Sequence, residues 1–133
     1  MTTISATLPR LPIVALAHLG GHWARKYEER KADKEAWTML LIQAGFRLRT
    51  TALLDEPVTL TVDVYYPNDG HRVDTDNMLA GLKPLIDLLE PSHRAGKGFR
   101  GHAGWIANDK LITSVHAERH VDPERAPATV LRM

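Results

Sequence analysis

The sequence predicts a small α/β domain of α+β character, a mixed β-sheet with helices packed on it, and three features carry that expectation. Val58, Leu60, Val62, Val64 and Tyr66 alternate with Thr59, Thr61, Asp63 and Tyr65, the period of a strand with one buried face. Leu79, Leu82, Leu85, Ile86 and Leu89 recur at three and four residues, the period of a helix with one apolar stripe. The 133 residues suffice for one core and leave little room for another, so residues 1–133 are expected to form a single domain.

The elements follow in chain order. ISATLPRLP carries small and apolar residues up to Pro9 and Pro12, which predicts a short strand ending near Leu8. From His22 to Ala44 there is no proline and many good helix formers, and Gly45 follows as a natural C-cap, so this stretch is a helix. Its second half has an apolar face in Trp37, Leu40, Leu41 and Ala44, while Arg25 to Lys34 reads as a solvated first half. The strand Val58 to Tyr66 ends at Pro67, and Asn68-Asp69-Gly70 supplies turn residues. A helix is expected from Thr75 to Leu89, its first amides capped by Asp74 or Asp76, with Pro84 set to kink or break it. Pro91 to Gly104 has no apolar period and is rich in glycine and basic groups, so it reads as a mobile surface loop. Strands are expected at Leu111 to His120, with Leu111, Thr113, Val115 and Ala117 inward, and at Ala128 to Arg132. Trp37 and Trp105 are read as core or dimer-interface residues.

Composition narrows the chemistry. With 44% hydrophobic and 25% charged residues the chain is an ordinary folded one. It has no cysteine, which excludes disulfides, thiolate nucleophiles and Cys-ligated zinc, so any metal is held by oxygen or imidazole. The apolar run Leu11 to Gly21 is too short to cross a bilayer and lacks the basic region of a secretory signal, so a cytoplasmic protein with no membrane partner is expected. A formal charge of +1 neither supports nor forbids nucleic acid.

The chemistry-bearing stretch is VDTDNMLAGLKPLID, Val73 to Asp87. Asp74 and Asp76 project the same way from an extended segment, and two such anions repel unless a cation sits between them or one carboxyl is protonated. Hard oxygen ligands select Mg²⁺, with Mn²⁺ as a substitute. Asn77 adds a polar contact. Lys83 and Asp87 lie seven and eleven residues past Asp76, close to whole turns, so an unbroken helix puts the three on one stripe. An isolated Asp-x-Asp also occurs as plain helix capping.

The longer text resembles the RusA family of Holliday-junction endonucleases: VDTDNMLAGLKPLIDLL follows a strand ending in proline, and a lone aspartate in IANDKLI precedes the next strand. ISATLPRLP and HWARKYEERK look similar to phage-type members. The resemblance implies a compact α/β homodimer that cuts branched DNA in recombination and repair. Its metal ligands would be Asp74, Asp76 and Asp109 holding Mg²⁺, with Lys83 as the catalytic lysine. Asn77 and Asp87 would stand behind them, Asp87 either orienting Lys83 or forming an ordinary ion pair with it four residues on. Three departures are visible: the best-studied bacterial members carry their lysine where this chain has Ala80, the Asn-rich segment after the first strand in several members is missing, and the stretch Pro91 to Gly104 is longer than the family's turn.

Phosphodiester hydrolysis needs a water made more acidic and neutralisation of the charge on the attacked phosphate and leaving oxygen, tasks that divalent ions perform. Around that centre, Arg72, Arg94, Lys97 and Arg100, with His93 and His102, are candidates to engage DNA phosphates, and Phe99 to stack on a base. Two other functions fit the same text: a branched-DNA-binding protein of this fold without cleavage, and a metal-dependent hydrolase of another phosphorylated substrate. Separately, His116, Glu118 and His120 alternate along one strand face, a spacing that zinc can use and that the wet face of a strand also produces.

Overall fold

The computed structural model describes residues 3–13, 23–47, 49, 51–68, 75–95 and 98–133. A four-stranded sheet forms its frame, from β1 (Ser5–Leu8), β2 (Val58–Tyr66), β5 (Ile112–Val121) and β6 (Ala128–Arg132), in the order β1-β6-β2-β5. β6 runs antiparallel to both β1 and β2, whereas β2 and β5 are parallel, so the sheet is mixed. Two helices, α1 (Trp23–Gln43) and α2 (Thr75–Asp87), complete an α+β domain.

The alternation in β2 decides which face is covered. Leu60, Val62 and Val64 are wholly buried and Tyr66 nearly so. They meet Trp37 and Leu41 of α1 and Met78, Leu82 and Leu85 of α2 in one core that also takes in Leu8, Trp105, Ile106 and Leu131. Each fully buried side chain of this size contributes about 1.5–3 kcal/mol, so this one cluster is the main source of stability. Both Trp37 and Trp105 are core residues, and Trp105 packs on Phe46 with ring centroids 5.0 Å apart.

Helix α1 ends as its glycine predicts. Gly45 takes φ +97°, its amide donates to Ile42 O at 3.0 Å, and the Phe46 amide donates to Leu41 O at 3.0 Å. This is a Schellman close, which needs a left-handed residue and tucks Phe46 against the core. Of the charged run before it, the described side chains from Glu28 to Lys34 are exposed or half-exposed except Asp33, which is buried and receives a 2.6 Å hydrogen bond from Arg10 Nη2. Helix α2 continues three residues past Pro84, so the proline does not break it, although the helix ends within that turn.

The stretch expected as a mobile loop is a β-hairpin instead. β3 (Pro91–Ala95) and β4 (Gly98–Ala103) pair antiparallel, placing His93 opposite Arg100 and Arg94 opposite Phe99. Backbone bonds bind its base to the end of α2: Ala103 N to Leu88 O at 2.9 Å and Trp105 N to Leu89 O at 2.7 Å. The pairing rests on main-chain hydrogen bonds, which an apolar-period reading of polar residues does not register.

β5 takes its register from β2, with Leu60 opposite Val115 and Val62 opposite Ala117. Of the four side chains expected inward along it, Leu111 and Ala117 pack on the core, while Thr113 and Val115 are exposed because β5 is an edge strand among the described residues.

Candidate functional site

Two groups of chemistry-bearing residues emerge, one at α2 and one on the sheet face opposite the helices. Asp76 is the second residue of α2 and lies in its first turn. Asp74, Arg72 and Lys97 lie outside the described residues, as do the side chains of Asp76, Arg94, Phe99 and Arg100. Asn77 is half-buried one residue further along α2.

Lys83 and Asp87 meet on the exposed side of α2, with Lys83 Nζ 3.4 Å from Asp87 Oδ1. Asp87 Oδ2 is also 3.8 Å from Lys34 Nζ of α1, so this carboxylate lies between one lysine of each helix. The pairing is the ordinary helix relation at four residues' spacing, and both lysines are well exposed.

Asp109 stands elsewhere. It opens a single 3₁₀ turn, Asp109–Leu111, capped by Asn108, whose Oδ1 accepts from Lys110 N at 2.9 Å. Its own amide donates to Glu90 Oε1 at 3.0 Å, and the turn leads into β5 at Ile112, which is opposite Val58 at the start of β2. Asp109 is therefore at the C-terminal end of α2. Asp76 is at the other end, eleven residues back along the helix, or about 16 Å at ~1.5 Å per residue. A carboxylate side chain does not span that length. Along the backbone, Asp109 and Asp76 are thus at opposite ends of α2, and Asp74, the third aspartate the resemblance implies, lies outside the described residues. The donors are hard oxygens of the kind that suits Mg²⁺.

The second group was only half legible. Glu118 and His120 share a face of β5, as their alternation predicts, but the third member is Asp63 of β2, directly opposite Glu118. Single ligand atoms of Asp63, Glu118 and His120 all lie within 4.8 Å of one another, an arrangement able to hold a metal ion. His120 Nε2 is 2.8 Å from Asp63 Oδ1 and 3.7 Å from Glu118 Oε2. Arg132 Nη2 donates to Asp63 Oδ2 at 3.1 Å. The His120 ring stacks on Tyr65 with centroids 4.7 Å apart and planes 17° from parallel, and the Arg125 guanidinium carbon lies 3.8 Å from the Tyr65 ring centre. His116, the other member of the sequence spacing, is on the same face opposite Thr61 but is not in the set. The signal that reaches Asp63 from sequence is its polar position in an apolar alternation; the register that joins it to Glu118 is not in either strand alone.

No model of a known protein family matches the chain, and no curated protein matches it. Among the described residues, no helix is long and apolar enough to cross a membrane.

Proposed function

We propose that the protein is a cytoplasmic, divalent-metal-dependent endonuclease that cuts branched DNA as a homodimer. The observation that carries this reading is the segment Val73 to Asp87. Its resemblance is to a nuclease family, and Asp76 lies in the first turn of α2, the helix that follows the interior strand β2 along the chain. A helix N-terminus favours negative charge, which suits a phosphate held there. Lys83, seven residues along, is on the same helix face as Asp76 and well exposed, free to turn from Asp87 to a phosphate oxygen.

The distance between Asp76 and Asp109 shapes this proposal. If the third carboxylate takes part, it belongs to a second copy, whose Asp109 meets the first copy's Asp74 and Asp76. A homodimer with twofold symmetry would then carry two composite sites, one for each strand of a symmetric cut. A second reading, a branched-DNA-binding protein without cleavage, is favoured by the same separation and by the engagement of Lys83 with Asp87.

One experiment separates these. Purified protein is incubated with a labelled four-way junction and a matched linear duplex, with Mg²⁺ and with EDTA, as wild type, Asp76→Asn, Asp109→Asn and a refolded mixture of the two variants. The expected result is paired nicks on the junction only, abolished by EDTA and in each variant, with cutting regained in the mixture because half of the dimers hold one intact composite site. A dead mixture overturns the shared site; full activity of Asp109→Asn removes Asp109 from the reaction. Junction binding without nicks establishes the second reading, and inertness toward both DNAs overturns both.

A further inference from the structure

We infer that Asp63, Glu118 and His120 form a separate cation site that takes Zn²⁺ or a similar first-row divalent ion, on the sheet face away from the helices. The first argument is electrostatic. Asp63 and Glu118 are directly opposite on neighbouring strands, a like-charge pair that destabilises a sheet unless a positive group joins it. Two groups are in place: the guanidinium of Arg132, 3.1 Å from Asp63 Oδ2, and the imidazole of His120, whose Nε2 faces both carboxylates. A divalent ion among the three ligand atoms adds two positive charges beside the same carboxylates.

The second argument is geometric. Ligand atoms around a tetrahedral Zn²⁺ are about 3.4 Å apart for metal–ligand bonds of ~2.1 Å. The pairs His120 Nε2 to Asp63 Oδ1 at 2.8 Å and His120 Nε2 to Glu118 Oε2 at 3.7 Å bracket that spacing. The remaining adjustment falls on Glu118, the most exposed of the three, with 75% of its side chain accessible.

The third argument is that the two less mobile ligands are held from outside the set. Tyr65 stacks on the His120 ring and is itself covered by Arg125, which fixes the ring plane. Arg132 engages Oδ2 of Asp63 and so leaves Oδ1 turned toward His120, the outer contact that metal-bound carboxylates usually have. One imidazole with two carboxylates suits Zn²⁺ or Mn²⁺ better than Mg²⁺ or Ca²⁺, which take oxygen alone. Three protein ligands leave further coordination positions to water, as in zinc sites that are not purely structural. This site is independent of the proposed nuclease centre: Asp63 points away from the face on which α2 packs.

The test is titration of the full chain with Zn²⁺ alone by calorimetry, beside thermal melts with and without the metal. Wild type should bind one Zn²⁺ per chain and melt higher with it, and a hundredfold excess of Mg²⁺ should not displace it. Glu118→Gln, at an exposed position that leaves the sheet intact, and His120→Ala should each weaken binding about tenfold or more, the loss typical of disturbed metal sites. His116→Ala, on the same face but outside the set, should bind as wild type does. Absence of Zn²⁺ binding in wild type overturns the inference and leaves a plain ion-pair network. Binding unchanged by Glu118→Gln and His120→Ala also overturns it, since other surface histidines then hold the ion.

Discussion

The backbone amide of Asp109 donates a 3.0 Å hydrogen bond to the carboxylate of Glu90, just beyond the last turn of α2. That contact ties the approach to β5 to the end of the helix, while Asp76 lies in its first turn. Because the chain has no cysteine, the separation is directly measurable. Asp76→Cys and Asp109→Cys, both spin-labelled and diluted into unlabelled protein, should give an intrachain distance above roughly 15 Å, as the rise per residue of α2 requires. A distance near that of two ligands on one ion would restore the single-chain centre.

Lys83 offers a functional prediction that rests on the proposed nuclease reading. Lys83→Ala should lower junction cutting by about a hundredfold or more, the usual loss for one preorganised electrostatic donor, and leave junction binding intact. Ala80 is exposed and lies one turn nearer to Asp76 on the same face. Adding Ala80→Lys to Lys83→Ala should recover much of the cutting. Unimpaired cleavage in Lys83→Ala removes the lysine from the chemistry.

Arg10 and Asp33 predict an asymmetry in stability. Their contact is 2.6 Å, but 25% of the Arg10 side chain is exposed against 1% for Asp33. Among the described residues, Asp33 Oδ2 is buried with no hydrogen-bond partner, so Arg10 carries most of this carboxylate's compensation. Arg10→Ala leaves a buried charge and should cost roughly 3 kcal/mol. Asp33→Ala should cost less, since Arg10 can reach water. Urea midpoints of the two variants decide it, and equal losses would contradict the argument.

Gly81 predicts a sign against helix propensity. In an open helix Gly→Ala gains about 1 kcal/mol. Here the new Cβ would meet Pro12 Cβ at 3.1 Å and the Ile13 carbonyl carbon and oxygen at 3.3 Å. Backbone atoms do not step aside cheaply, so overpacking outweighs propensity. Gly81→Ala should lower the melting temperature, and Gly81→Val should lower it further; a rise in Gly81→Ala would show that the segment yields.

Tyr66 predicts the alkaline limb. Burial holds its phenol above the usual value of 10.0, with the nearby positive charge of Arg119 pulling the other way. The folded state therefore favours the protonated phenol. Its contribution is complete below pH 10.0 and is lost as pH rises from there through the folded value. Stability measured against pH should fall on that limb, and Tyr66→Phe should flatten the fall.

The sequence by itself determined the elements whose signal is local. The alternation of Val58 to Tyr66 gave β2 with its bounds, the apolar stripe gave α2, and Gly45 gave the end of α1, because side-chain period and backbone freedom act over a few residues. The tertiary structure decided what depends on partners far along the chain. The hairpin of β3 and β4 exists through main-chain bonds that polar side chains do not announce. Asp33 is buried because Arg10 reaches it. Asp63 joins Glu118 and His120 because two strands adopt one register, and Asp109 stands apart from Asp76 because a whole helix runs between them. Spacing in sequence says which residues share a face, but only packing says which faces, and which ends, come together.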